Sequence, residues 1–300
     1  METKAIRRKA NIIGWGMIAP TVLSIALFII YPLVFSLILS FTNWKFVFSN
    51  VQFVGFANYQ WLFSSRGIQF WKSLLVSLEF TFISTAIQTL LGFWIAYILY
   101  NMSPRFQAVY KVLIYVPVVL PAAVISVMWT FIYTPNIGLI DRLLTGIGIT
   151  NPPLWLDDPS FAMGSVIFTN TWRYLGVTVI IYFVAMNAIP RDTVESAQVE
   201  GAGKSTILWR ILLPLTFSST KVNLLLSIMG GLKSFDLFYL FTSGQPIDEL
   251  YVVGMYIYNT AFKYRTFARA VTMSIILSIV IGGITLLCNT TLSKGEEHYE

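Results

Sequence analysis

Glu79, Arg173, Lys233 and Asp236 are charged side chains that fall in or near otherwise apolar stretches of this 300-residue chain. A charge at mid-depth in a bilayer costs at least about 2.5–3.5 kcal/mol by insertion scales, so such residues mark ion pairs, hydrated paths or proton sites. Lys233 and Asp236 are three residues apart, a spacing at which helical side chains pair. Two further chemistries stay open: Arg173 with Lys233 can hold a uronate or phosphate, and Glu79 with Asp236 can carry protons. A fifth candidate is Lys204 in the run GAGKST at 201–206, which has the form of the end of a nucleotide phosphate loop. That loop needs a glycine five residues before Gly-Lys, where Gln198 stands, and a preceding strand, where an apolar stretch of membrane-span length stands. Nucleotide binding is therefore not expected on Lys204. The lone Cys288 cannot form an internal disulfide, and His298, the one histidine, sits in a charged tail. Neither a nucleophile–base pair nor a metal-ligand cluster is apparent.

The elements that position these residues follow from composition. The chain is 56% hydrophobic and 11% charged, with mean hydropathy +0.70, too little charge for a soluble surface of this size. Apolar runs of about 20 residues, enough to cross roughly 30 Å of hydrocarbon as helix, recur along it. Six are expected, over about 12–41, 74–100, 109–134, 162–187, 219–241 and 270–291, with residues 1–11 and 292–300 as short tails. The first run is too long for a signal-peptide core, and Pro20 and Pro32 should kink it. With the N-terminus inside, the inner segments hold Lys4, Arg7, Arg8, Lys9, Arg105, Lys111, Arg191, Lys204, Arg210, Lys221 and Lys294. The outer loops hold fewer: Lys45, Arg66, Lys72, Arg142, Lys263, Arg265 and Arg269. That bias places both termini in the cytoplasm. The net charge of +6 carries no basic stripe with interleaved aromatics, so nucleic acid is not an expected partner.

The polar faces of two spans point to a path. Asn170, Arg173, Tyr174 and Val177 recur at i, i+3, i+4 and i+7 on the fourth. On the fifth, Asn223, Ser227, Gly230 and Ser234 share a face, with Gly231, Lys233 and Asp236 close by. Such a face suits a hydrated path or close helix packing. Hydroxyl-rich ligands would find hydrogen-bonding groups there, and Tyr174 with Trp172 an aromatic plane. The outer segments 42–72 and 135–160 are aromatic, the second carrying Asp141, Trp155, Asp157 and Asp158; they anchor helix ends at the headgroups or dock an external partner.

Residues 189–218 form a polar insert between spans. Pro190 should end the fourth span, and Asp192 with Glu195 should cap a short helix over about 193–200. Gly201 and Gly203 then allow a turn, and a second helix over about 205–213, with Ile207, Leu208, Ile211 and Leu212 on one face, should stop at Pro214.

Glu195-Ser196-Ala197, then Gly201-Ala202 and Ile211-Leu212-Leu213-Pro214, resembles the EAA loop of ABC importer permeases in spacing, with Ser196 replacing an alanine. Tyr31-Pro32, residues 40–43 (SFTN), 55–59 (GFANY), Trp172, Gly176, Ile189-Pro190, Phe235-Asp236 and 242–246 (TSGQP) extend the resemblance to carbohydrate-uptake permeases related to those for maltose and glycerol-3-phosphate. The resemblance implies an all-α, six-helix type I importer permease fold, lodged in the plasma or inner membrane and translocating a sugar or oligosaccharide. It also implies a second homologous permease subunit, an ABC ATPase dimer that holds ATP and Mg, and an extracytoplasmic solute-binding protein; no cofactor is expected on this chain. In that family Glu195, Ser196, Ala197, Gly201, Ala202, Ile211, Leu212 and Pro214 would form the coupling loop. Glu195 would make a charged contact on the ATPase, and Ile211 and Leu212 would anchor the loop. An autonomous ion-coupled transporter or channel is the alternative, in which Glu79 and Asp236 act as proton sites.

Overall fold

The computed structural model describes residues 2–45 and 51–296, with side chains placed for 14–45 and 51–293. His298, residues 46–50 of the first outer segment, and the side chains of Lys4, Arg7, Arg8, Lys9 and Lys294 lie outside the described residues. Among the described residues regular structure is helical, apart from one antiparallel bridge between Thr42 and Phe53. The chain divides into two compact units, Met1–Ile68 with Ile257–Leu277, and Gln69–Tyr256 with Ser278–Glu300.

In the first unit, α1 (Glu2–Ile25) runs through one π turn, Ala26–Ile30, into α2 (Tyr31–Ser40). Pro32 has no amide hydrogen to continue the ladder, and the preceding turn widens so that the Tyr31 amide donates to the Ala26 carbonyl. The expected disturbance at Pro32 thus takes the form of a π turn, while Pro20 stays within α1. After α2 the chain reverses into α3 (Ala57–Phe63). Asn58 fixes this corner by donating to the carbonyls of Ser40 at 2.8 Å and Thr42 at 2.7 Å. Gly55 takes φ +57, which the absence of a Cβ permits. The rings of Phe41, Phe56 and Tyr59 gather beneath it. The aromatics of this segment therefore build a folded corner, and the Trp44 ring lies tilted against Phe267, with centroids 4.9 Å apart.

The second unit starts at Gln69 within α4 (Ile68–Tyr100), followed by α5 (Pro104–Val119) and α6 (Ala122–Tyr133). The expected continuous span 109–134 is instead two helices bent by 98°. Pro121 lacks a donor and forces Leu120 to extended geometry, φ −71 and ψ 136, so the helix cannot pass. Then come α7 (Leu139–Gly146) and α8 (Pro159–Ala188). Between them Asp141, 2% exposed, accepts from the Trp155 indole and the Asn136 amide, both at 2.7 Å. This carboxylate organises the segment 135–160 from within.

The polar insert forms α9 (Arg191–Val199), α10 (Lys204–Ile207), a π turn Leu208–Leu212 and α11 (Leu213–Leu215), and α12 (Phe217–Leu232) follows. The chain closes with α13 (Asp236–Phe241), α14 (Val253–Tyr258), a π turn Asn259–Lys263 and α15 (Phe267–Glu296). The expected fifth span 219–241 is interrupted at Lys233–Phe235, where Phe235 takes φ −140 and ψ −46. Three stretches, Gly14–Ser40, Ser65–Tyr100 and Phe267–Ser293, are long and apolar enough to cross a membrane, or up to six if each bent helix pair is one span.

Two apolar clusters hold the second unit. One joins Phe80, Ile125, Trp129, Val166 and Phe238 from α4, α6, α8 and α13. The other joins Phe93, Tyr182, Phe183 and Met186 to Val194, Ile207, Leu208 and Leu212 of the insert. Helices α5 and α8 touch through Gly176, where an added Cβ would lie 2.5 Å from the Ile114 carbonyl oxygen. Gly176→Leu should therefore lower stability by about 1–3 kcal/mol, seen as a depressed thermal midpoint of the detergent-solubilised protein. An unchanged midpoint would contradict this contact.

Candidate functional site

The polar residues of α4 form a buried stripe. Ser73, Ser77, Thr81, Ser84, Gln88 and Gly92 recur every three or four residues on its interior face. Near one end of the stripe, the Ser77 hydroxyl accepts from the Val253 amide at 2.9 Å and donates to the Ser73 carbonyl. Thr81 lies so close to Gly231 that a Cβ there would sit 2.7 Å from its hydroxyl oxygen. This contact brings α12 against α4 and leaves Ser84, Thr85 and Gln88 facing a gap.

That gap is a cavity of about 450 Å³ between α4, α8, α12 and the start of α13. Asn170, Tyr174 and Val177 line it from α8, and Asn223, Ser227, Gly230 and Gly231 from α12, with Lys233, Ser234 and Asp236 at the break between α12 and α13. The two faces expected from spacing thus meet across one space. Ser84, Thr85 and Gln88 were missed, although their spacing on α4 was available in the sequence. Ser84 Oγ, Thr85 Oγ1 and Asn223 Nδ2 are buried without hydrogen-bond partners. Buried polar groups are normally satisfied, and unsatisfied ones gathered at a cavity wall define a place for a hydrogen-bonding ligand or water.

Arg173 does not line the space. It lies behind Tyr174 with its guanidinium 4.8 Å from the ring centroid, and its Nη1 donates to Asp236 Oδ2 at 3.1 Å. The expected pairing of Lys233 with Asp236 is corrected accordingly: Asp236 pairs with Arg173. The reason is local, because α12 ends at Leu232 and α13 starts at Asp236, so the two residues never share a helix. Asp236 Oδ1 also accepts from the Leu237 amide at 2.9 Å, fixing the first turn of α13. The pair therefore ties the helix break to α8. Trp172 is corrected as well, since it packs edge-on against Trp129 at 5.5 Å in the apolar cluster. The ring beside the hydroxyl and amide groups of the cavity is Tyr174, with Phe235 at the break.

At the other end of the unit the insert presents α9. Glu195, Ser196 and Val199 are exposed, and Val194 turns inward to the second cluster. Asp192 is not the cap expected of it: Pro190 holds that position, and no side-chain hydrogen bond caps the helix. Gly201 takes φ +89 at the turn, where the Ala202 amide donates to the Ala197 carbonyl at 2.8 Å. Ala197 is half-buried, and Ala202 and Ile211 pack against the cluster around Leu212, which is fully buried. Pro214 does not stop the second helix. The π turn lets the Leu213 amide donate to the Leu208 carbonyl, and the chain turns instead at Thr216, by 62°. Thr216 Oγ1 takes up the Leu212 carbonyl at 2.8 Å. Lys204 is exposed at the start of α10 and follows a helix and turn.

Residues 88–293 match the family described as binding-protein-dependent transport system inner membrane component. The probable ABC transporter permease protein YesP of Bacillus subtilis is 30% identical over 298 residues, 98% of this chain and 94% of that protein. The lactose transport system permease protein LacF of Rhizobium radiobacter is 26% identical over 94% of this chain and 95% of its own. Among solved structures, a bacterial ABC transporter involved in import of the acidic polysaccharide alginate has a chain that superposes with TM-score 0.84 at 22% identity, covering 97% of this chain and 98% of that one. This last likeness is one of fold.

Proposed function

Because the chain belongs to the binding-protein-dependent transport system inner membrane components, we propose that it carries a neutral sugar or oligosaccharide into the cell through the α4–α8–α12 cavity. The observation that carries this reading is the wall of short polar groups, Ser84, Thr85, Gln88, Asn170 and Asn223, beside Tyr174. A polyhydroxylated ligand supplies many hydroxyls, each able to donate and accept, and an apolar ring face for Tyr174. The charge of Arg173 is already taken up by Asp236, which leaves only Lys233 of the two expected cations to meet a uronate or phosphate and favours an uncharged ligand. The sugar permeases among its relatives, such as that for lactose, support the same class.

The energy source lies outside the chain in this reading. ATP and Mg sit on an ABC ATPase dimer that docks on α9, and a second permease subunit and an extracytoplasmic solute-binding protein complete the importer. Both termini face the cytoplasm in this reading, which the Lys and Arg bias supports and which puts α9 on the ATPase side. Glu195 offers a charge on its exposed face, and the Ile207–Leu212 packing ties its motion to the inner ends of α4 and α8. The autonomous transporter reading loses its proton sites: Asp236 is held by Arg173, and Glu79 lies on the exposed face of α4, away from the cavity.

Uptake of labelled neutral oligosaccharides by cells carrying the intact importer tests the proposal. It should collapse on ATP depletion and persist with an uncoupler, and acidic oligosaccharides should compete poorly. Asn223→Leu should raise the concentration for half-maximal uptake about tenfold, since one buried hydrogen-bonding group is worth about 1–3 kcal/mol. Collapse with the uncoupler alone, or stronger competition by acidic sugars, would contradict the reading.

A further inference from the structure

From Leu75 to Leu90 the α4 face opposite the cavity is apolar with one exception. Leu75, Phe82, Ile83, Ala86 and Leu90 are exposed along it, and Glu79 stands among them, also exposed. Glu79 is on the same helix as Ser84 and Gln88 but about half a turn of the wheel away from them. Midway between Lys72 and Asn101, the polar residues that bracket the span, lies a point about 11 Å from Glu79 along the axis, inside the roughly 15 Å half-thickness of hydrocarbon. Among the described residues no side chain pairs with its carboxylate. Lys72 shares the face but sits two turns outward, about 10.5 Å along the axis.

A carboxylate left facing lipid at that depth is costly, so the face calls for a covering surface that brings a donor. A second copy of this chain does not supply one by like-on-like contact, because a twofold α4–α4 pairing would set Glu79 against Glu79 among apolar side chains. A different chain with a basic residue at the matching depth does. We propose that this face of α4 docks on a membrane-spanning helix of the second permease subunit, and that Glu79 pairs with a lysine or arginine there. The inference rests on the two-permease reading above and adds the face and the pair to it.

The test uses the intact complex extracted in mild detergent, with a benzophenone amino acid at position 83, one turn from Glu79. Mass spectrometry first establishes whether a second permease is present. Illumination should then join this chain to it. In parallel, Glu79→Lys should reduce the co-purified second permease at least about tenfold at an unchanged level of this chain in the membrane, and Glu79→Gln should reduce it less. Lipid adducts alone, or adducts to another copy of this chain, in a complex that contains the second permease would overturn the inference and leave the importer reading intact. Wild-type recovery with Glu79→Lys would overturn the pairing. A complex with no second permease would remove the two-permease reading itself and the inference with it.

Discussion

Asp236→Ala should be among the most damaging single substitutions in this chain. It removes the partner of Arg173, whose side chain is 11% exposed, and leaves a buried guanidinium uncompensated beside the cavity. Orphaning one member of a buried pair costs about 3–5 kcal/mol, and the 49% exposure of Asp236 places this case at about 2–3 kcal/mol. It also removes the acceptor of the Leu237 amide, loosening α13 where it follows the break. The expected result is a lower thermal midpoint of the purified complex and a loss of uptake. Asp236→Asn keeps an acceptor for Leu237 and should recover part of the stability. A double-mutant cycle isolates the pair: Arg173→Ala with Asp236→Ala should cost clearly less than the two single changes added together. Additive costs would mean that the two side chains do not depend on each other.

The second large effect is expected at the exposed insert. Glu195→Arg reverses the charge on α9, and Gly201→Val places a branched side chain at φ +89, where an L residue costs about 1–2 kcal/mol. Neither position packs in a core, since both are exposed and a Cβ at Gly201 would meet nothing within 4 Å. The fold should therefore persist while coupling between ATP hydrolysis and transport fails. With coupling free energies of about 1–3 kcal/mol, uptake should fall about 5–150-fold at normal membrane levels of the chain. The measurement is initial uptake rate against immunoblot signal, alongside ATPase activity of the purified complex. Normal uptake in both variants would remove α9 as the coupling element.

The reasons why some of this was legible in the sequence are physical. A cavity-facing residue on a helix repeats every three or four positions, so Asn170, Tyr174 and Val177 announce their shared face, as do Asn223, Ser227 and Gly230. The same signal ran through Ser77, Thr81, Ser84 and Gln88, but membrane-helix serines and threonines commonly donate to their own helix carbonyls, as Ser77 and Thr81 do, and only the tertiary structure shows that Ser84 does not. Hydropathy counts apolar residues and is blind to their backbone angles, so it ran through Pro121 and through the Lys233–Phe235 break. The partner of Asp236 was legible only from tertiary structure: 63 positions separate it from Arg173, and the nearer lysine was disqualified by the end of α12 at Leu232. Pro214 misled in the opposite direction, because a π turn can absorb a proline that an α ladder cannot.

The most direct test of the importer account is mass spectrometry of the proteins retained by the tagged chain after mild extraction from its native membrane. An ABC ATPase and a second permease, recovered together and lost in the Glu195→Arg variant for the ATPase alone, is the predicted result. A chain recovered by itself, under extraction that preserves known membrane complexes, would contradict the account.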